Sequence, residues 1–227
     1  MAIEIKGFLE TSFLDWPGKI CAVLFLPGCN FRCPYCHNHP LVFHPERYPS
    51  FSLDEILDRL EDFRGWIDGL CVTGGEPTLH PDLRQFLQAI RERSFPVKLD
   101  TNGSDPQRLA GLMECGAVDF VAMDVKAPLD SPSYRRSAGT EVDLERIVRS
   151  IELIKTGTVE HEFRMTVVPG LHQEQDIRDL ARQLGMESRL VLQNFNPEDP
   201  LDSSLKGTIP FSPEALAKIQ REIDSMR

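Results

Sequence analysis

The feature that most constrains the fold of this 227-residue chain is a regular alternation of short apolar runs with amphipathic stretches. Ile20 to Leu26 is an unbroken apolar run, as expected of a strand buried on both faces, and Pro27-Gly28 stops it. Further strands are expected at 69–73, 97–100, 120–123, 162–168 and 189–193. Helical spacing lies between them. Ser52, with Glu55 three residues on, caps a face of Ile56, Leu57, Leu60 and Phe63. Leu83, Phe86, Leu87 and Ile90 form the next face, and Leu109, Leu112 and Met113 another, closed by Cys115-Gly116. Ile147, Val148, Ile151 and Ile154 follow, then Ile177, Leu180, Ala181 and Leu184, and last Leu216, Ile219, Ile223 and Met226.

Strand–helix alternation of this kind predicts a parallel sheet with right-handed crossovers. Six such units are too few for the eight-unit barrel. The expectation is an α/β chain folded as a partial (β/α)6 TIM-like barrel of parallel strands, with a doubly wound sheet as its rival. No break in composition divides the chain, so one domain is expected over 1–227. Its core would run from about 20 to 195, after an extended N-terminal arm over 1–19 and before a closing loop and helix over 196–227. Ala127 to Val142, rich in Pro, Ser and Asp, reads as a long functional loop.

Charge and hydropathy remove several classes. A net charge of -10 argues against a nucleic-acid partner, which needs a basic footprint. No apolar run reaches the roughly 18 residues of a membrane span, so no membrane role is expected. The first residues lack a basic segment followed by an apolar one, so no secretory signal is expected and the chain reads as cytoplasmic. In such a chain clustered cysteines point to metal or redox chemistry. Cys21, Cys71 and Cys115 are scattered and read as packed thiols, whereas Cys29, Cys33 and Cys36 fall on one short loop.

Ligands of parallel α/β folds collect at the C-terminal ends of the strands, and here those ends carry the unusual residues. The first leads into the cysteine loop, the second into Gly74-Gly75-Glu76-Pro77, the third into Asp100-Thr101-Asn102-Gly103. The fourth leads into Asp124-Val125-Lys126, the fifth carries Arg164, and the sixth leads into Asn194-Phe195-Asn196. Each has a plainer reading. Two of these segments are ordinary turns by composition, Asp124 and Lys126 could be a buried ion pair, and Arg164 a surface charge. Three thiolates with His37 or His39 could hold zinc, and three on a four-iron cluster would leave one iron open to a small molecule.

Taken together, the residues resemble a family. Cys29-x3-Cys33-x2-Cys36, with Tyr35 before the third cysteine, is the signature of the radical S-adenosylmethionine (SAM) enzymes, and Thr73-Gly74-Gly75-Glu76-Pro77 is similar to their Gly-Gly-Glu element. Cys36-His37-Asn38 and the Asp124-x-Lys126 pairing look like the subgroup that activates glycyl radical enzymes. Within it, Gly7-Phe8, the segment Ser12 to Lys19, and Gln193 to Pro197 resemble activators of anaerobic ribonucleoside-triphosphate reductase. Asn196 stands where the pyruvate formate-lyase activating enzymes place a histidine.

The resemblance implies a [4Fe–4S] cluster on Cys29, Cys33 and Cys36. It implies SAM held by Tyr35, His37, Asn38, Gly74, Gly75, Glu76, Asp124, Lys126, Arg164 and Asn196, and a monovalent cation at Asp100, Thr101, Asp124 and the Ala122 carbonyl. The implied reaction is one-electron cleavage of SAM to methionine and a 5′-deoxyadenosyl radical, which takes hydrogen from a glycine of a partner enzyme. The implied partners are a glycyl radical enzyme and a flavodoxin- or ferredoxin-type electron donor. Alternatives are a radical SAM enzyme acting on another glycyl radical enzyme or a small molecule and, from a different class, a zinc-binding interaction protein.

Overall fold

The computed structural model describes residues 3–185 and 187–226. A seven-stranded sheet runs in sequence order from β1 to β7. Its strands are β1 (Gly7–Ser12), β2 (Cys21–Leu26), β3 (Gly69–Gly74), β4 (Val97–Thr101), β5 (Phe120–Asp124), β6 (Glu160–Val167) and β7 (Leu190–Asn194). Strands β2 to β7 are parallel throughout, while β1 pairs antiparallel with β2. The helices are α1 (His39–Phe43), α2 (Leu53–Glu61), α3 (Leu83–Glu92), α4 (Pro106–Glu114), α5 (Ser131–Ala138), α6 (Leu144–Thr156), α7 (Glu174–Leu184) and α8 (Pro213–Asp224). Six β/α units in sequential order form the expected open TIM-like barrel.

Two expectations are corrected. The stretch expected as an N-terminal arm contributes β1, which lies on the sheet with Gly7 opposite Phe25. The expected loop over 127–142 contains α5, because the residues read as helix breakers start one. The Asp130 carboxylate accepts from the Ser133 N–H at 2.9 Å, and Pro132 occupies the first turn, where no N–H is missed.

The sheet has two unlike faces. Alternate residues such as Leu24, Val72, Leu99, Val121 and Phe163 join the helices in the main core. On α3 the expected face of Leu83, Phe86, Leu87 and Ile90 is buried, at roughly 1.5–3 kcal/mol per side chain. Phe63, expected on the buried face of α2, is instead 43% exposed, because the helix ends at Glu61. The concave face holds a second, smaller cluster of Trp16, Cys21, Val23, Cys71, Phe120 and Ala122. Trp16, from the turn between β1 and β2, closes the lower end and packs on Phe120 at 6.1 Å between ring centres. Above this plug the interior is polar. No helix among the described residues is long and apolar enough to cross a membrane.

Candidate active site

The cysteine loop, 27–38, leaves the upper end of β2 and is tied to its surroundings by backbone bonds. The Arg32 N–H donates to the Ala138 carbonyl at 2.8 Å, which fastens the loop to α5. The Leu201 and Asp202 N–H groups donate to the Cys36 and Pro34 carbonyls at 3.1 and 2.8 Å. The segment after β7 thus braces the loop from outside, a contact that local sequence pattern does not announce. The Asn38 side-chain amide donates to the Gly74 carbonyl at 2.7 Å.

Gly74 and Gly75 are required by this closure. Gly74 has φ of +116°, and a Cβ on Gly75 would lie 1.7 Å from the Gly28 carbonyl oxygen. The Gly75 N–H donates to Leu26 O at 2.8 Å and the Glu76 N–H to Gly28 O at 2.7 Å. Backbone therefore meets backbone where a side chain would hold the two loops apart.

Glu76 is buried and its carboxylate is committed. One oxygen accepts from Thr78 N–H at 3.0 Å and from the hydroxyls of Thr78 and Thr101, and the other accepts from Asn102 N–H at 2.6 Å. Burial pushes its carboxyl up, and these neutral donors pull it back only in part. Across the cleft, Asp124 accepts from Arg164 Nε at 2.9 Å and Lys126 Nζ at 3.2 Å. Burial alone would raise Asp124, but the two cations win and hold it at about 2. Burial opposes the Lys126 ammonium, yet Asp124 keeps it charged well above the ordinary lysine range.

These elements surround an open cleft of about 230 Å³. Cys29, Cys33, Tyr35, Cys36, His37, Asn38, Gly74, Gly75, Glu76, Asp100, Thr101, Asp124 and Lys126 all line it. Three expected residues do not. Arg164 stands behind the wall and bridges Asp100, at 3.0 Å, to Asp124. Ala122 is buried on the concave face, and Asn196 is exposed, accepting from the Glu198 N–H at 3.0 Å in a turn. Arg164 therefore already spans the two acids expected to flank a monovalent cation. Phe31, Val42, Thr73, Asn102 and Thr166 complete the lining, and the Asn102 amide reaches the Cys29 sulfur at 3.9 Å.

The donor set fits a cluster with an open iron. Facing a paired Asp and Lys suited to a zwitterion, the three thiols lie together on the opposite cleft wall. The Tyr35 hydroxyl, buried and without a protein partner, belongs to that same wall. Burial pushes the Cys29 thiol up to about 11 and raises Cys33 and Cys36 too, so binding iron must displace their protons.

Comparison with known proteins agrees. A protein of Methanocaldococcus jannaschii with the provisional name glycyl-radical enzyme activating enzyme is 36% identical over 91% of this chain and 85% of its own length. The 7-carboxy-7-deazaguanine synthase of Methanopyrus kandleri is 31% identical over 91% of this chain and 87% of its own. The pyruvate formate-lyase-activating enzyme of Clostridium pasteurianum is 29% identical over 78% and 74%. The solved structure of TYW1 with a lysine-pyruvate adduct shares the fold, with a TM-score of 0.61 at 13% identity over 90% of this chain and 73% of that one. Residues 23–184, which carry the cysteine loop, the paired glycines and the Asp124–Lys126 pair, match the Radical SAM superfamily, and the chain belongs to it.

Proposed function

We propose that the chain activates a glycyl radical enzyme, using a [4Fe–4S] cluster on Cys29, Cys33 and Cys36 and SAM in the cleft they share with Asp124 and Lys126. The observation that carries the chemistry is that single cleft, with three thiols on one wall and a paired acid and base on another. Cys29, Cys33 and Cys36 would hold the cluster, which when bound would supply one-electron reduction of the SAM sulfonium, with methionine leaving and a hydrogen atom taken from the partner's glycine as the outcome.

The chain's own residues orient and exclude. Lys126 offers its ammonium to the methionine carboxylate and Asp124 an acceptor to the amino group, while the backbone at Gly74 and Gly75 lies flat enough for close approach. Tyr35 and His37 wall the adenine side, and Phe195 backs His37 at 6.2 Å between rings. The α5 helix and the segment after β7 hold the cysteine loop in place. An electron reaches the site from a flavodoxin- or ferredoxin-type donor.

For the partner, the relatives named as pyruvate formate-lyase activating enzymes support that type of enzyme first. Anaerobic ribonucleoside-triphosphate reductase rests on the Ser12–Lys19 and Gln193–Pro197 motifs. A small-molecule substrate is the second reading, favoured by the similarity to a deazaguanine synthase. The test is to mix the anaerobically iron-loaded protein, SAM and a photoreduced flavin with each candidate enzyme. A SAM-dependent glycyl doublet by electron paramagnetic resonance is expected with a pyruvate formate-lyase. SAM cleavage without a glycyl signal on either enzyme would favour the small-molecule reading.

A further inference from the structure

Beneath the cleft, the concave face carries a lysine with no access to water. Lys98 is 0% exposed, between the Cys71 sulfur at 3.7 Å and the Phe120 ring at 6.0 Å. Removing an ammonium from water is costly, and nothing in the packing of this plug calls for a cation. Its partner is Asp100, two residues on along β4 and so on the same face. Asp100 gives its other oxygen to Arg164 Nη2 at 3.0 Å. Arg164 gives its Nε to Asp124, one residue across the sheet, and Asp124 gives its second oxygen to Lys126. The groups alternate in sign and climb from the plug on β4 by way of β6 to the rim at the end of β5.

We infer that Lys98 and Arg164 are positioning residues for the Asp124–Lys126 pair, acting through this one column of alternating charge. The inference rests on reading the cleft as the SAM site. Two features carry it. The guanidinium is a rigid planar fork, so its hold on Asp124 depends on where Asp100 lies. And the column's three cations, Lys98, Arg164 and Lys126, stand against three carboxylates, Asp100, Asp124 and the buried Glu162. Glu162 lies two residues before Arg164 on the same face, feels the charges of Arg164 and Lys98 most strongly, and meets Arg189 only at 3.9 Å. The charges therefore balance, and losing one cation leaves a carboxylate uncompensated. Removing Lys98 alone would leave one negative charge over and let Asp100 draw Arg164 toward itself. Removing Lys98 and Asp100 together would restore the balance.

The test compares the wild type with Lys98→Met and the double variant Lys98→Met/Asp100→Asn, all anaerobically loaded with iron. SAM affinity is read by calorimetry and by the change SAM causes in the reduced-cluster resonance. Lys98→Met should keep four irons and bind SAM about tenfold more weakly, with cleavage at saturating SAM nearly unchanged. The double variant should recover to within about threefold of wild type, a rescue that a purely structural role would not give. SAM binding by Lys98→Met within about twofold of wild type, or a double variant no better than the single one, overturns the inference. If Lys98→Met does not fold, the double variant decides alone, and a loss beyond about tenfold overturns it. A loaded wild type that does not bind SAM would instead refute the proposed function.

Discussion

On the β3–β4 side of the cleft, Glu76 is surrounded by hydroxyls and backbone N–H groups, and burial raises its carboxyl. On the β5–β6 side, Asp124 sits between two cations and is held at about 2. The same functional group, at the ends of β3 and β5, is thus put to opposite uses. Neutral donors satisfy Glu76 without creating a field, so that side acts as a latch joining the ends of β3 and β4. The cations around Asp124 create a field, so that side is suited to gripping a zwitterion.

The harshest way to break the comparison is to remove what faces both sides. Cys33→Ala should abolish four-iron loading and SAM cleavage, checked by iron count and product analysis. Asp124→Asn comes next. It leaves Arg164 and Lys126 short of a partner and should weaken SAM binding by about 3 kcal/mol, roughly a hundredfold, by calorimetry. Glu76→Gln should act differently in kind. Its new amide would face the Asn102 N–H, donor against donor, costing about 2 kcal/mol of folding stability in urea melts, with SAM affinity changed less than by Asp124→Asn.

The last effect is on stability against pH and concerns the brace behind the charged side. His172 is buried against Ser137 at 2.9 Å and accepts from Val168 N–H. Burial lowers it from 6.5 to about 4. Between those values the unfolded chain binds the extra proton and the folded one does not, so stability falls as pH drops through that window. The slope approaches about 1.4 kcal/mol per pH unit, and the loss is complete below the folded value. His172→Asn should flatten the slope in urea melts between pH 7 and 4.5.

How much of this was legible in sequence follows from which forces are local. Strand and helix alternation, the Ser52 cap and the α3 face were readable because each depends on residues a few positions apart. The cysteine loop and the strand-end residues were readable from spacing. Strand β1 was not, since one strand paired to an edge leaves no crossover to announce it. Helix α5 was hidden because Asp, Ser and Pro both end helices and begin them. Least readable were the long-range polar bonds. Glu76 meets partners 25 and 26 residues downstream, and Arg164 reaches Asp124 from 40 residues away. Lys98 reads as a solvent-facing lysine until the barrel closes around it.

The central claim is that the cleft places SAM against an open iron of a cluster held by Cys29, Cys33 and Cys36. The most direct test is to load the protein with iron and sulfide under anaerobic conditions, add SAM and a strong one-electron reductant, and analyse the products. The account predicts four irons per chain and equal amounts of methionine and 5′-deoxyadenosine. A correctly assembled cluster with intact SAM, or a colourless protein holding one zinc, would contradict it.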